Sequence, residues 1–305
     1  MNWDRLVTSP PPSTSWVFDP DLVAIAHRTK TQEVHCAAED FPDGGVEVGP
    51  VGLQSVRSQV LTPGLAKLKG AAEGARTAAV VMPTGWLRSF MLDVDKLPRR
   101  EEELLDVVRW RLKKLLPVSP TDLRLSTVRL PEADGRRRLL VMAGIERAIA
   151  SVEACFSEIG VEVGLVTTRL FALVPRLSGD APPFLLIQHE KGFLSLLFLI
   201  GGVPQLLRTK PLPAGGGDGT AVVREATMTL GFIRDALGVD DKIGVKLSCG
   251  RPEIDAVLRD WMNRQDGLAP APAHARPPCG PTTVVERIGR ARLEPALAVV
   301  SGEVR

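Results

Sequence analysis

Between Glu101 and Leu116 the apolar residues fall at Leu104, Leu105, Val108, Leu112, Leu115 and Leu116. This i, i+3, i+4, i+7 spacing predicts a helix that buries one face. Glu101, Glu102 and Glu103 crowd its N-terminus, while Arg111, Lys113 and Lys114 lie near its C-terminus, so both ends complement the helix dipole. Pro117 stops it, because proline lacks an N–H and disfavours helical geometry at Leu116. Strand-like patterning follows over 123–130, then a charged turn over 133–138 and an apolar strand over 139–143.

Elsewhere the pattern predicts strands over 16–18, 22–26, 32–38, 78–82, 86–94 and 161–166. Helices are expected through Val56, Val60, Leu65 and Leu68, over 145–159 with Gly160 just beyond its end, and over 169–177. The turn-rich stretch 178–183 reads as a domain boundary. Three more strands follow over 184–188, 193–200 and 204–208, the last two joined by the two-residue turn Gly201-Gly202. A glycine-rich loop over 212–219 leads to a helix over 221–237, a strand over 244–248, a helix over 252–263 and a short closing helix over 294–300. Both halves run strand, strand, strand, helix, strand, helix, which implies a two-lobed α/β fold.

Composition narrows the function more by exclusion than by assignment. The 305 residues with 44% hydrophobic content suffice for two cores. The 38 Lys plus Arg against 36 Asp plus Glu give no electrostatic case for a nucleic-acid binder. Cys36, Cys155, Cys249 and Cys279 are far apart, so they read as buried thiols in a reducing compartment. The proline-bearing start lacks the pattern of a signal peptide, and the longest apolar run covers eight residues, 193–200. The expectation is a cytoplasmic protein. His27, His35, His189 and His274 lack metal-ligand spacing, and no nucleophile or metalloprotease motif is present. Arg136-Arg137-Arg138 is a basic run in the charged turn, a solvated feature by default with acidic lipid headgroups as its other reading.

From residue 16 to about 300 this order of elements, with the helix and hairpin of 101–144, resembles PilM, the actin-like assembly protein of type IV pili and of related secretion systems. The resemblance implies an actin-like fold, related to the cytoplasmic GspL domain of type II secretion. A tail would cover 1–15, a first lobe 16–180 with an inserted α+β subdomain at about 85–144, and a second lobe 181–305 with a Pro/Ala-rich insert over 267–281. Such a fold clamps nucleotide between its lobes, and here the matching positions depart from the pattern. Phe18-Asp19-Pro20-Asp21-Leu22 stands where the first phosphate hairpin would be, with Asp19 matching the family's Asp but no glycine present. In the second hairpin Gln188 replaces an Asp and Glu190 a glycine, and Ser248-Cys249-Gly250 keeps one glycine of the turn that lies against adenosine. Gly216 and Gly217 belong to the loop at the place of the family's Gly-Gly pair. Ala296-Leu297-Ala298 resembles the family's closing Gly-Leu-Ala-Leu.

These departures imply a non-catalytic pseudo-ATPase scaffold without cofactor. The resemblance supplies its partner: the cytoplasmic N-terminal peptide of a PilN-like or GspL-like inner-membrane protein, held extended between the first lobe and the insert, with a cytoplasmic motor ATPase beyond. Trp86, Phe90 and Trp110 are the candidate groove aromatics. The alternative is an active actin-like ATPase using ATP with Mg, with Asp19 on the metal side. A sugar-kinase-like enzyme would need an acid cluster that the chain does not offer.

Overall fold

The computed structural model describes residues 12–41, 44–72, 74–95, 97–132, 135–174, 181–212, 219–271, 284 and 288–301. The first half begins with β1 (Thr14–Asp19), β2 (Leu22–Arg28), β3 (Val34–Asp40), β4 (Val46–Gly49), β5 (Gly52–Val56), α1 (Ser58–Lys69) and β6 (Thr77–Met82). An insert of β7 (Arg88–Val94), α2 (Glu101–Leu112), β8 (Leu123–Arg129) and β9 (Arg137–Ile145) follows, and α3 (Glu146–Glu158), β10 (Glu162–Thr168) and α4 (Arg169–Ala172) complete this half. The second half comprises β11 (Phe184–Glu190), β12 (Phe193–Ile200), β13 (Val203–Pro211), α5 (Gly219–Leu237), β14 (Ile243–Cys249), α6 (Pro252–Asn263) and β15 (Leu268–Pro270), before a closing α7 (Arg290–Ser301).

The repetition read from the pattern is a repetition of topology. One five-stranded sheet has the order β10-β6-β1-β2-β3 and the other β13-β12-β11-β14-β15. In each, the first three strands form an antiparallel meander and the last two add in parallel beside the first. This is the two-lobed actin-like architecture that the resemblance implied. The insert is a separate three-stranded antiparallel sheet, β7-β9-β8, with α2 packed on it.

Each sheet is apolar on both faces because helices cover both. On the first sheet, Trp16, Phe18, Ile25 and Val80 meet Leu61 and Leu65 of α1 and Val152 and Phe156 of α3. Trp16 and Phe156 touch edge to face with centroids 5.2 Å apart. The same cluster runs on into the insert through Val108, Leu112 and Leu139, which ties that subdomain to the first lobe. On the second sheet, Ile187, Leu196 and Phe198 meet Ile233 of α5 and Leu258 and Trp261 of α6.

The remaining two faces look toward each other across the lobes, and here the lobe assignment needs correction. The closing helix was placed with the second lobe, yet Leu293, Ala296, Leu297 and Val300 of α7 pack on Val17, Ala24 and Val81 of the first sheet. Conversely α4, placed with the first lobe, puts Leu170, with Leu173 just past its end, on Leu186, Leu197 and Leu199 of the second. Each lobe thus supplies a helix to the other's inner face. Apolar spacing reports that a face is buried, not against which sheet.

Local departures have local causes. The pair β4–β5 falls partly in a stretch read as a connection, because Gly49-Pro50-Val51-Gly52 hides a two-residue turn between short strands. Strand β7 begins later than expected, since Thr84–Trp86 forms one 3-10 turn first. Short β15 was not expected at all. Cys155 and Cys249 are buried free thiols as expected, but Cys36 is disulfide-bonded, against the reading of isolated thiols; Cys279 lies outside the described residues. Most of the Pro/Ala-rich insert, and Gly216 and Gly217, also lie outside them. Among the described residues no helix is long and apolar enough to cross a membrane.

Gly52 joins the lobe to the insert by close approach. Its φ is +112°, and a Cβ there would lie 2.2 Å from the Trp86 carbonyl oxygen, so backbone itself would have to move. Gly52→Ala is expected to cost about 3 kcal/mol of unfolding free energy, read as a lowered urea midpoint at unchanged m-value.

Candidate functional site

Asp19 is the last residue of β1 before a two-residue turn, Pro20-Asp21, and pairs with Leu22 across it. Glu190 is likewise the last residue of β11 before Lys191-Gly192 and pairs with Phe193. The two carboxylates are therefore equivalent positions of the repeated topology. The second hairpin runs two residues further than its sequence suggested, so Glu190 rather than Gln188 is the counterpart of Asp19. Gly192, with φ +87°, sits in the turn itself.

Between these two hairpins lies a cation supplied by the chain. Arg169, the first residue of α4, is 4% exposed. Its Nη1 is 2.7 Å from Asp19 Oδ2 and its Nε 3.2 Å from Glu190 Oε1. Nη2 donates to the carbonyl oxygens of Ala291 and Arg292 at 3.3 and 3.4 Å. Arg292 of α7 adds a second guanidinium, its Nε 2.6 Å from Asp19 Oδ2, and also pairs with Asp21. Gly250 closes this side: a Cβ there would meet Arg292 Cγ at 4.0 Å.

Thr84, in the turn after β6, ties the other side. Its backbone N–H donates to Glu190 Oε2 at 2.8 Å, and its hydroxyl donates to Gln188 Oε1 at 2.7 Å. The same hydroxyl accepts from the Leu170 N–H at 3.2 Å. Lys246 of β14 reaches Glu294 of α7 at 3.0 Å. The lobes also meet through Phe193, whose ring occupies the space where a Cβ on Gly85 would be, 2.2 Å away. Arg138 Nη1 of β9 donates to Gln205 Oε1 of β13 at 2.9 Å. Hence Arg138 works as an inter-lobe contact, while Arg136 and Arg137 remain paired loosely with Asp93 and Glu132.

The electrostatics follow from burial. Burial works against the Arg169 charge, but Asp19 and Glu190 outweigh it and hold the guanidinium protonated more firmly than usual. Burial pushes the Glu190 carboxyl up; Arg169 pulls it back, and the nearby Asp19 charge pushes up again. Two carboxylates sharing one arginine, with the Thr84 N–H on Glu190, make a closed, charge-paired cluster. Arg169 Nε meets Glu190 Oε1, and Nη1 meets Asp19 Oδ2, at ion-pair and not hydrogen-bond geometry. A phosphate needs N–H donors and room to approach, and here Pro20 offers no N–H while a guanidinium already fills the space between the hairpins.

Of the candidate residues, the fold brings Asp19, Gln188, Glu190 and Gly250 together. It separates the aromatics. Trp86 is 3% exposed and packs on Phe18 with centroids 5.9 Å apart, so its assignment to a partner surface is corrected to core. Phe90 is half-buried on β7 against the same core. Trp110 is 56% exposed near the end of α2 and takes no part in that cluster. The expected site omitted Arg169, Thr84 and Arg292. One signal was available for Arg169: an arginine opening a short apolar helix directly after its cap, Thr168, stands at the positive end of the dipole. A carboxylate partner resolves that conflict.

No family model and no curated protein matches the sequence. Among solved structures the chain is similar to the PilM-PilN type IV pilus biogenesis complex, with a TM-score of 0.67 at 17% identity over 97% of this chain and 98% of that one. It is also similar to the cytoplasmic domain of EpsL, an inner-membrane component of the type II secretion system of Vibrio cholerae. There the TM-score is 0.51 at 12% identity over 96% and 99% of the two chains. At such identities the likeness establishes a shared fold over essentially the whole length.

Arg169→Met alone is expected to destabilise the protein by about 3 kcal/mol, because it strands the buried Glu190 carboxylate and leaves Asp19 with Arg292 as its remaining guanidinium. Adding Asp19→Asn and Glu190→Gln should recover most of the loss, since polar and apolar groups of similar shape then fill the cluster. Chemical denaturation of the single and triple variants measures both.

Proposed function

We propose that this chain is a non-catalytic adaptor of an inner-membrane assembly platform of the type IV pilus or type II secretion kind. It acts at the cytoplasmic face and reaches the membrane through a PilN-like or GspL-like protein, whose cytoplasmic N-terminal segment it binds. A cytoplasmic motor ATPase is the second expected neighbour. The observation that carries the non-catalytic reading is Arg169, placed between Asp19 and Glu190. An actin-like enzyme must open and close its cleft around Mg-ATP, whereas this cleft holds its own charge-balanced contacts. The end-to-end likeness to a PilM-PilN complex supports the partner class.

The extended segment is proposed to lie between the first lobe and the insert. There β7 is an edge strand of its sheet with Phe90 on it, which suits backbone pairing with a few apolar anchors. Trp86 contributes only as core beneath.

Two measurements test the reading. Calorimetry with Mg-ATP should give no saturable binding, and millimolar ATP should not raise the melting temperature. A ligand at 100 times its Kd would add about 2.7 kcal/mol, so clear stabilisation would favour the nucleotide-binding alternative. A synthetic N-terminal peptide of a PilN-like partner should bind the parent protein and bind Phe90→Ala about tenfold more weakly, near 1.4 kcal/mol; equal affinity for both would remove β7 from the groove.

A further inference from the structure

Helix α2 buries Leu104, Val108 and Leu112 and needs nothing more for its packing. Trp110 stands off that stripe. The other described tryptophans, Trp16, Trp86 and Trp261, are 0%, 3% and 5% exposed, against 56% for Trp110. Its indole carries cations: Lys114 Nζ lies 4.6 Å and Arg111 Cζ 5.4 Å from the ring centroid. Lys113 is exposed beside them, and Leu115, 52% exposed, adds an apolar side chain at the same end. The acids nearby are already engaged, Asp106 with Arg109 at 3.2 Å and Asp95 with Arg111 at 4.0 Å. Lys113 and Lys114 face no carboxylate partner among the described residues. Glu101, Glu102 and Glu103 lie at the far end of the helix, on the order of 15 Å away at 1.5 Å per residue.

The charge asymmetry of the chain concentrates in this subdomain. Residues 85–144 hold thirteen Lys and Arg against nine Asp and Glu, while the remainder holds twenty-five against twenty-seven. We propose that the Trp110 end of α2 is a contact site for a bilayer surface bearing anionic headgroups, with the indole at headgroup depth and Arg111, Lys113 and Lys114 on lipid phosphates. Indole rings with neighbouring Lys and Arg side chains suit that boundary, where an apolar body and a charged tip are both satisfied. A protein partner would instead need about 800 Å² of surface on each side with an apolar centre, and among the described residues Leu115 is the large exposed apolar side chain that joins Trp110 at this end of α2. One indole, the two lysines and an arginine shared with Asp95 make a weak, reversible contact, fit to orient a protein held to the membrane by other means. The inference rests on this surface and does not depend on which assembly the chain serves.

The test uses the full chain with vesicles of phosphatidylcholine, with and without phosphatidylglycerol. The protein should sediment with the anionic vesicles and not the neutral ones, and added salt should release it. Brominated acyl chains should quench tryptophan emission in the parent and not in Trp110→Phe. Lys113→Gln and Lys114→Gln should each lower the partition coefficient about fivefold, with melting temperatures unchanged because both side chains are exposed. Equal association with neutral vesicles, no association of folded protein, or full binding by the Trp110 variant would overturn the proposal. Protection of Trp110 from acrylamide by an acidic peptide but not by anionic vesicles would overturn it too, reassigning the surface to protein docking.

Discussion

A single buried guanidinium holds the halves of this protein in their mutual orientation. Arg169 cannot be solvated where it lies, and neither can Asp19 or Glu190; Arg169 is tolerable because both carboxylates face it, Glu190 because Arg169 does, and Asp19 because Arg169 and Arg292 do. The carboxylates come from the first hairpin of each repeat and the arginine from the segment leading from one lobe to the other. Closure of the lobes is therefore the state in which three desolvated charges are paired. Separating the lobes would expose them one by one or leave them mispaired in a low dielectric. Hydrophobic contacts supply breadth to this interface, through Leu170 on one sheet and Leu297 on the other, but they are nondirectional. The charged cluster sets the register.

That arrangement also defines the chemistry of the cleft. The topology retains everything that would aim two hairpins at a shared ligand. The occupant is the chain itself: Pro20 offers no N–H at one turn, Glu190 places a carboxylate at the other, and Arg169 lies between. The changes support one another, because a carboxylate that would repel a phosphate is an asset beside a guanidinium. The insert, outside this cleft, offers an edge strand and an exposed basic helix end, so these exposed surfaces lie away from the space between the two hairpins.

Legibility from the sequence varied with the range of the interaction concerned. The start and buried stripe of helix α2 were readable because dipole and spacing act within a few residues, but the helix ends at Leu112, four residues before the Leu116 end that the apolar spacing and Pro117 implied, and Lys113–Leu115 form a turn. The repeat of strand order was readable for the same reason. Asp19, Gln188, Glu190 and Gly250 were nominated through the resemblance, and the fold does bring them together. Arg169 was missed because its partners lie 150 residues before it and 21 after it. Trp86 was misplaced because a large aromatic beside a turn looks alike in sequence whether it faces a groove or Phe18.

The sequence by itself determined the α/β class and the repeated strand order of the two halves, since each is written in local spacing. Only the tertiary structure decided that α4 and α7 cross to the opposite sheets, that Glu190 rather than Gln188 is the counterpart of Asp19, and that the space between them is filled by Arg169. The physical reason is that periodicity records which face of an element must leave water, while the identity of the surface or charge that covers it depends on chain segments far away.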